Sequence, residues 1–472
     1  MNTHIRNNVS QYQPLALRRI AATVLGISLC LGSSAIWGQN ILPQATIQQP
    51  TFGVSVSAQG VLMTGKIADP RESLEIAVAR NRAGDRNDNR DIDRTSPSRK
   101  VSLRRALANC AGESIDEDLL ALAGLTSIDF VFIDPAAEDV VIVGPAGKWI
   151  PDGIGRRVNA TNGRPVLRLE DLALAMTATT GANGEWFGCS IDPTPQAMEN
   201  MSELHRQIPR SIPAAGREQF AAELDDAMHN ALGNADVRIF GLPAQSQMAL
   251  VLVEADYRMK RMALGLEKLP IAMKSYADLL RNPPKNLGMQ RWWLVPDFES
   301  IQATEDRLNW RLIGGNAKLN AESYQYANGQ LQKTDAPVSR PCRLFADAFT
   351  ARYERIADAS PVFAELRNAM NLLIIAAVLE EHQSLSEFEA TLQSLADRSS
   401  RVPDGAPRIA PRLAPCVANI FWRGARLLAP AGGGVTIKPR DYVNQSQIKV
   451  VDAGVFDAAR PEKIEKAAWW WD

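Results

Sequence analysis

The spacing of apolar residues along the chain predicts several amphipathic helices, and the clearest of them covers residues 246–266. Its apolar positions recur at three- and four-residue steps and form one stripe, made of Met248, Leu252, Ala255, Met259, Met262 and Leu266. The other faces carry charged residues, including the i, i+4 pairs Glu254–Arg258 and Asp256–Lys260. The same reasoning predicts helices over 169–177, 195–206, 218–232, 342–359 and 362–382, the last of which is the most apolar.

Short apolar or alternating runs between these helices predict strands. A small N-terminal hairpin is expected within 39–66, where Val54 and Val56 alternate with serines. Further strands are expected over 128–133, 139–143, 164–167, 186–191, 237–240 and 291–295, and a second hairpin over 308–313 and 317–319 across Gly314-Gly315. Because strands and helices interleave, we expect a mixed α/β (α+β) body over 101–400, with 210–245 or 270–290 as the places where two subdomains would divide.

Two segments outside this body are expected to be irregular. Residues 67–100 begin with a predicted helix over 70–80 and continue with interleaved arginines and aspartates, which is typical of a solvated linker. Beyond residue 400 the chain is rich in Pro, Gly, Arg and Ala, contains Gly432-Gly433-Gly434 and ends Trp469-Trp470-Trp471-Asp472. We therefore predict that residues 401–472 form an irregular, partly disordered C-terminal tail.

Residues 1–38 have the organisation of a cleavable secretory signal peptide. Arg6, Arg18 and Arg19 precede an apolar run from Ile20 to Trp37. Small residues lie near the end of this run, among them Ala35 and Gly38. The alternative is an uncleaved anchor, but the run is shorter than the roughly 20 apolar residues that span a bilayer. We expect an exported protein, periplasmic or extracellular, with no membrane span after signal cleavage.

Composition limits the classes of partner. Acidic and basic residues nearly cancel and leave a formal net charge of −1, so the charge does not indicate nucleic acid as a partner. Four cysteines follow the signal segment: Cys110, Cys189, Cys342 and Cys416. An even number in an oxidising compartment permits two disulfides, and free buried thiols are the alternative.

The motifs that usually bring metals, nucleotides or cofactors are missing from the sequence. There is no CxxC or HExxH, and the acidic run Asp85–Asp93 lacks the glycine and the final acid of a calcium loop. Gly153-Ile154-Gly155 continues with arginines and not with a phosphate-binding pattern, and no GxSxG occurs. We predict no metal and no cofactor. Cys189 follows a glycine at a strand end and could act as a nucleophile, or it could be a buried or disulfide-bonded residue.

Two helices carry polar residues that could form a binding site. On the 246–266 helix, Glu254, Tyr257, Arg258 and Arg261 could bind a carboxylate or a sugar, or they could form an ordinary solvated face with salt bridges. On the 362–382 helix, Glu365, Asn368 and Asn371 step by three residues and could share one face of a largely apolar helix, so they belong either to a site or to a buried hydrogen-bond network.

Arg291 and Trp292 are further binding candidates. Successive side chains of a strand point to opposite faces, so one of Trp292 and Trp293 is expected inside and the other outside. An exposed tryptophan beside arginine suits stacking on a sugar or peptide, and core packing is the alternative.

Several blocks together resemble one family: FIDPAAEDVVIVGPAGKW (132–149), GRPVLRLEDLALAM (163–176), CSIDPTPQAM (189–198), LVEADYRMKRMALGLE (252–267), RWWLVPDFES (291–300) and PVFAELRNAMNLLIIAAVL (361–379). They are similar to a family of exported proteins of planctomycete-type bacteria known as domain-of-unknown-function family 1598. The resemblance spans roughly residues 52–380. It implies bacterial origin, export and one globular unit, and it brings no reaction and no catalytic residue.

These observations favour a non-catalytic binding or structural protein of the cell envelope, with an envelope protein or a glycan as its partner. The competing hypothesis is a carboxylate-based hydrolase in which Glu254 and a second acid, Asp192 or Glu365, face one cleft. A third hypothesis is an assembly subunit whose Trp469–Asp472 segment docks on a neighbouring chain.

Overall fold

A computed structural model describes residues 54–64 and 90–472, apart from gaps at 111–113, 153–154, 182–183, 210–216, 281–287, 328–329, 334–336, 381, 383–384, 402–406, 424, 445 and 462–467. The predicted signal peptide over 1–38 and the predicted helix over 70–80 lie outside the described residues. All described residues belong to one contact unit.

The described residues contain twelve α-helices, which we number in chain order. They are α1 (Leu103–Ala108), α2 (Glu117–Leu120), α3 (Leu169–Thr180), α4 (Pro195–Gln207), α5 (Arg217–Leu232), α6 (Gln247–Ala263), α7 (Tyr276–Leu279), α8 (Arg340–Thr350), α9 (Tyr353–Ala359), α10 (Pro361–Glu380), α11 (Glu389–Arg398) and α12 (Pro439–Val443). Local chemistry fixes several of their starts. Thr194 accepts a hydrogen bond from the amide of Ala197 in front of Pro195, and Ser246 caps α6 in the same way through Ala249.

Nineteen strands accompany these helices in the described residues. They are β1 (Val54–Val56), β2 (Leu62–Thr64), β3 (Ser96–Ser102), β4 (Phe130–Asp134), β5 (Asp139–Ala146), β6 (Trp149–Pro151), β7 (Arg157–Asn159), β8 (Phe187–Asp192), β9 (Asn234–Phe240), β10 (Gly288–Asp297), β11 (Ser300–Ala303), β12 (Asn309–Ile313), β13 (Asn316–Ala327), β14 (Gln330–Lys333), β15 (Leu413–Pro415), β16 (Ala418–Arg423), β17 (Ala425–Ile437), β18 (Ile448–Val450) and β19 (Trp470–Trp471). The predicted α+β class is confirmed.

Most strands join two large sheets. The eight-stranded sheet has the order β14-β13-β10-β17-β8-β9-β15, with β16 paired to β17, and the seven-stranded sheet has the order β18-β11-β12-β4-β5-β3-β19. Two small sheets, β1-β2 and β6-β7, complete the arrangement, and the first of them is the predicted N-terminal hairpin.

Helix α10 packs against both α3 and α6, and α6 also packs against β8 and β17. Among the described residues, α10 is the one helix long and apolar enough to cross a membrane, yet 94% of its apolar window is buried in the body. A helix that is apolar on all sides is stable when other elements surround it, so α10 is a core helix.

The prediction of an irregular tail over 401–472 is wrong. Strand β17 pairs in parallel with β10 and antiparallel with both β8 and β16, which places it inside the eight-stranded sheet. Its glycines explain the error, because glycine is unfavourable in an isolated strand. Here the glycines permit close approach: a Cβ on Gly434 would meet the carbonyl oxygen of Cys189, and one on Gly433 would meet that of Trp292.

The hairpin predicted across Gly314-Gly315 is also wrong, although both of its strands exist. Strand β12 pairs with β4 and β11, whereas β13 pairs with β10 and β14. The turn therefore carries the chain from one large sheet to the other. Residues 164–167 form no strand beyond a single bridge between Val158 and Pro165, because Pro165 has no N–H to donate to a ladder.

The charged segment before residue 100 is not wholly a solvated linker. Residues Ser96–Ser102 form β3, and the Arg99 side chain is fully buried. Its three nitrogens donate to the carbonyl oxygens of Ile92, Ala123 and Arg94 and to the carboxylate of Asp472. A buried arginine with five acceptors satisfies all five of its N–H groups, which explains how such a residue can lie inside.

Candidate functional site

Helix α6 packs on one face of the eight-stranded sheet, which we call the inner face, and it carries a charged pair there. Lys260 Nζ lies 2.6 Å from Asp256 Oδ2, and it also donates to the carbonyl oxygens of Ile191 (2.8 Å) and Gly433 (3.1 Å). Both side chains are fully buried. The predicted i, i+4 pair is thus confirmed, but the expected solvated face is wrong, because β8 and β17 supply the acceptors that make burial of the ammonium group tolerable.

Burial raises the pKa of Asp256 to about 6, although Lys260 opposes the shift, and the nearby Asp192 adds to it. The geometry agrees with this direction, since Asp256 Oδ1 is buried and has no hydrogen-bond donor. A carboxylate with only one satisfied oxygen gains less from ionisation than a fully hydrogen-bonded one.

The outer face of the same sheet carries Asp192 and Arg291. Arg291 Nη2 donates to Asp192 Oδ2 over 2.7 Å, and the amide of Gly433 donates to Asp192 Oδ1 over 2.9 Å. Strand β17 runs between the two residues, and a Cβ on Gly432 would meet Asp192 Oδ1. Glycine at this position therefore lets the carboxylate reach across the strand to the arginine.

Two aromatic rings flank Arg291. Its guanidinium carbon lies 4.9 Å from the ring centroid of Trp293 and 4.4 Å from that of Tyr324. These distances are within the range of cation–π attraction. Trp293 Nε1 donates to Glu322, which faces Arg291 in the register of β10 with β13 and binds Lys333 over 2.6 Å. We call Asp192, Arg291, Trp293, Glu322 and Tyr324 the outer-face cluster.

Trp292 points the other way and belongs to the core. It is fully buried, with its ring edge-to-face against Tyr276 (5.5 Å) and Phe345 (5.9 Å). The prediction that one tryptophan of the pair lies inside and the other outside is confirmed. The choice of Trp292 as the stacking residue is corrected, because Trp293 occupies the half-buried outer position.

The polar residues near the end of α6 bind one another. Arg258 Nε donates to Glu267 Oε1 over 2.9 Å and its Nη1 lies 3.5 Å from Glu254 Oε1. Arg261 lies 3.5 Å from Glu267 and 6.0 Å from the ring centroid of Tyr257. Glu254, Tyr257 and Arg258 are buried, so this group is an internal network and not a solvated face.

A cleft opens where α3, α6 and α10 meet. It is narrow, with about 30 Å³ accessible to water, and is lined by Val166, Leu167, Arg168, Asp171, Met248, Val251, Glu365, Asn368, Ala369 and Leu372. Glu365 and Asn368 are thus neighbours in one concave site, as their three-residue spacing indicates. Helix α6 contributes only Met248 and Val251, so the polar residues of the two helices do not converge there.

The three acids considered for hydrolysis have separate surroundings. Glu254 faces Arg258, Asp192 faces Arg291, and Glu365 lines the helix cleft 3.8 Å from Arg156. The cleft includes neither of the other two acids. No group of three His, Cys, Asp or Glu side chains suited to a metal occurs within the described ranges.

All four cysteines of the body are free and buried. Of the two alternatives that the sequence leaves, the structure has free buried thiols and not disulfides. The Cys110 thiol donates to the carbonyl oxygen of Ala106, which occupies it locally. Burial raises the pKa of Cys189 well above its ordinary value, which opposes the thiolate that a nucleophile requires.

Sequence reasoning missed Trp293 as the outer residue, and also Glu322, Tyr324, Arg168 and Asp171. The strand alternation of Glu322 and Tyr324 was an available signal, since it places both on the face of Arg291. Arg168 and Asp171 had no comparable signal, because the helix dipole alone explains an aspartate in a first helical turn, and a single arginine before it forms no pattern.

No curated protein and no solved structure matches the chain. A family model described as "Protein of unknown function (DUF1598)" matches residues 189–276. The matched segment begins at Cys189 in β8 and ends at Tyr276, so it includes Asp192 of the outer-face cluster and the buried pair on α6. The predicted family is confirmed for this segment: residues 189–276 belong to DUF1598.

Proposed function

We propose that the chain is an exported, non-catalytic binding protein of the cell envelope, and that its outer-face cluster binds a neutral polysaccharide. The observation that carries the proposal is Arg291 between Trp293 and Tyr324, with Asp192 and Glu322 as its carboxylate neighbours. The apolar C–H face of a sugar packs on aromatic rings, and its hydroxyl groups bind carboxylate, guanidinium and amide groups.

The charge of this face supports a neutral partner. Its acids and bases occur as pairs: Asp192 with Arg291, Glu322 with Lys333, and Asp236 with Arg238. A polyanion that contacted one of these bases would be repelled by the acid beside it, and a polycation that contacted an acid would be repelled by the base. The Arg238 side chain is 68% exposed, so the face continues into solvent across β9.

Export rests on residues 1–38, whose arginines, apolar run and small residues follow the order of a secretory signal. We expect the N-terminus of the secreted protein to follow Ala35 or Gly38. N-terminal sequencing of the protein recovered from the periplasm or medium tests this, and accumulation of the uncut chain in the cytoplasm contradicts it.

Hydrolysis receives less support than binding. Each candidate acid is paired with a different arginine, so two carboxylates of separated pKa are not presented to one bond. Turnover of a glycan, ester or peptide by the purified protein, abolished by one substitution, would overturn the non-catalytic proposal.

The binding test uses the secreted protein and insoluble polysaccharides of the bacterial envelope in a sedimentation assay. We expect Trp293→Ala and Tyr324→Ala each to weaken the binding affinity roughly fivefold, because stacking pairs contribute around 1 kcal/mol beyond burial. Leu344→Ala, an exposed apolar residue on α8, is the matched control. Equal binding by all three variants, each folded by circular dichroism, contradicts the assignment of the surface.

A further inference from the structure

A second aromatic group lies on the same face of the eight-stranded sheet as the outer-face cluster. Trp186, just before β8, is 39% exposed and stacks on Phe240 of β9, with 4.3 Å between ring centroids and 16° between ring planes. Among the exposed large apolar side chains of the described residues, Trp186 is the one aromatic. We propose that this pair, which we call the β9 platform, is the second anchor of an extended, neutral, β-1,4-linked polysaccharide that crosses the sheet from the outer-face cluster. This inference rests on the proposed function and adds the length and linkage of the ligand to it.

Strand register places the β9 platform on the outer face. Asp192 contacts Arg291 across β17, and Gly188, which precedes Asp192 by an even number of residues in β8, occupies the same side of the sheet. Gly188 pairs with Phe240 in the antiparallel register of β8 with β9, so Phe240 projects to this side as well. Trp186 belongs to the same side by alternation, which agrees with its stacking on Phe240.

The register also gives the distance between the two anchors. One row of paired residues crosses four neighbouring strands from β10 to β9: Trp293, Gly434, Ser190 and Arg238. Three strand spacings of about 4.8 Å separate the ends of this row, and Phe240 lies two residues, about 7 Å, further along β9. The backbones of Trp293 and Phe240 are therefore about 16 Å apart. An oligosaccharide can cover that distance, whereas a single sugar cannot.

The surface between the two anchors is formed mainly by small residues. The register assigns these positions of β17 and β8 to the outer face: Gly432, Gly434, Thr436, Gly188 and Ser190. Asp192 is the larger residue among them, and its carboxylate lies beside Gly432 in contact with Arg291. Trp293 and the β9 platform therefore project on either side of a shallow floor. A chain that lies flat over this floor can pack one sugar on each anchor.

The arrangement of the anchors indicates the linkage and the charge of the ligand. Both anchors lie on one side of one sheet, so the bound chain has to stay extended between them. A β-1,4-linked chain is extended and presents its C–H faces along its length, whereas an α-1,4-linked chain coils away from a flat surface. The charged residues along the path form pairs, Asp192 with Arg291 and Asp236 with Arg238. A neutral chain can bond to them through its hydroxyl groups without leaving a charge uncompensated.

The test is calorimetric titration of the secreted protein with soluble oligosaccharides of increasing length. The probes are cello-oligosaccharides and N-acetylglucosamine oligomers, which are neutral and β-1,4-linked, and malto-oligosaccharides are the α-1,4-linked control. We expect affinity for a β-1,4-linked series to rise with length until the oligomer covers about 16 Å and then to level off. The malto-oligosaccharides should show no such rise. Affinity that does not depend on length, an equal rise with malto-oligosaccharides, or no binding of either β-1,4-linked series overturns the proposal.

Variants of Trp186 distinguish this inference from the proposed function. We expect Trp186→Ala to weaken binding of the longest β-1,4-linked oligomers roughly fivefold, which is the effect of losing one stacked ring, and Trp186→Phe to retain most of the affinity. Combined with Trp293→Ala, the loss should be the product of the two single effects, because distant sites act independently. Weaker binding by Trp293→Ala but not by Trp186→Ala contradicts the second anchor and leaves the proposed function intact, whereas no effect of either contradicts both. If Trp186→Ala does not fold, the length series on the unmodified protein still decides the question.

Discussion

Arg99 and Asp472 join two distant parts of the chain through a two-point contact: Arg99 Nε and Nη2 donate to the two carboxylate oxygens of Asp472 over 2.8 and 3.1 Å. The Arg99 guanidinium also lies 4.7 Å from the ring centroid of Trp470, which pairs with Val101 in β19. The Trp469–Asp472 segment therefore docks on its own body, and this arrangement replaces a docking site on a neighbouring chain as the simplest role for these residues.

We predict that Arg99→Ala destabilises the protein by about 3–5 kcal/mol, because it leaves buried carbonyl oxygens and a carboxylate without donors. Asp472→Asn should cost only about 1–2 kcal/mol, since the Asp472 side chain is 40% exposed and solvent screens it. Denaturant unfolding measures both. Arg460→Ala, a surface arginine paired with Asp457, is the control and should change stability by less than about 0.5 kcal/mol. Comparable effects at Arg99 and Arg460 would contradict the assigned role of Arg99.

A pH-dependent loss of stability is expected from Asp256. Its folded pKa of about 6 lies above the unfolded value of about 3.9, so the folded state binds more protons between these values. Stability from this group is therefore greatest at acid pH and falls as the pH rises through 6. We expect it to contribute a loss of about 1 kcal/mol between pH 5 and pH 7.

The variant Asp256→Asn imitates the protonated carboxyl group and should remove this part of the pH dependence. Denaturant unfolding at pH 5 and pH 7 compares the two proteins. Asp457→Asn, which changes an exposed carboxylate, should keep the pH profile of the original chain. Parallel profiles for Asp256→Asn and the original chain count against a raised pKa.

Close packing around β17 predicts that Gly434→Ala is severely destabilising. The added methyl group meets the backbone carbonyl of Cys189, which cannot move without breaking the pairing of β8 with β17. We expect a loss of about 3 kcal/mol or more, at the upper end of overpacking effects. Gly181→Ala is the control: its nearest contact is 3.4 Å and its φ is −75°. A thermal unfolding midpoint unchanged in Gly434→Ala contradicts the packing of this strand.

The four body cysteines should behave as inert thiols. Burial raises the pKa of Cys110 to about 11 and that of Cys342 and Cys416 to about 12. We expect almost no reaction with Ellman's reagent in the native protein and reaction of all four after unfolding without reductant. Fewer thiols in the unfolded protein would indicate a disulfide.

The elements that local patterns specify were predictable. The stripe on α6 and the cap before α4 depend on residues three or four apart, and both predicted elements are present. The burial of Lys260 was not predictable, because its acceptors come from β8 and β17, which are remote in sequence. The same limit applies to Trp292 and Trp293: alternation separates them, but only pairing with β17 and β13 decides which one lies inside.

The candidate site was predictable in part for the same reason. Asp192 and Arg291 were recognised separately as chemically capable residues, and their contact depends on a glycine at position 432 that a local pattern reads as loop. Helical spacing grouped Glu365, Asn368 and Asn371, but only the first two line the cleft, because Asn371 lies against Gly315. Their partners Arg168 and Asp171 come from a different helix, and only tertiary packing brings them together.

The position of β17 has a consequence for the order of assembly. During synthesis of the chain, strands β8 and β10 emerge before β17, although β17 lies between them in the sheet. Until then each has an open edge, and open edges promote association with other chains. A body that is closed by so late a segment is expected to fold slowly, because its last strand pairing joins segments that are remote in sequence.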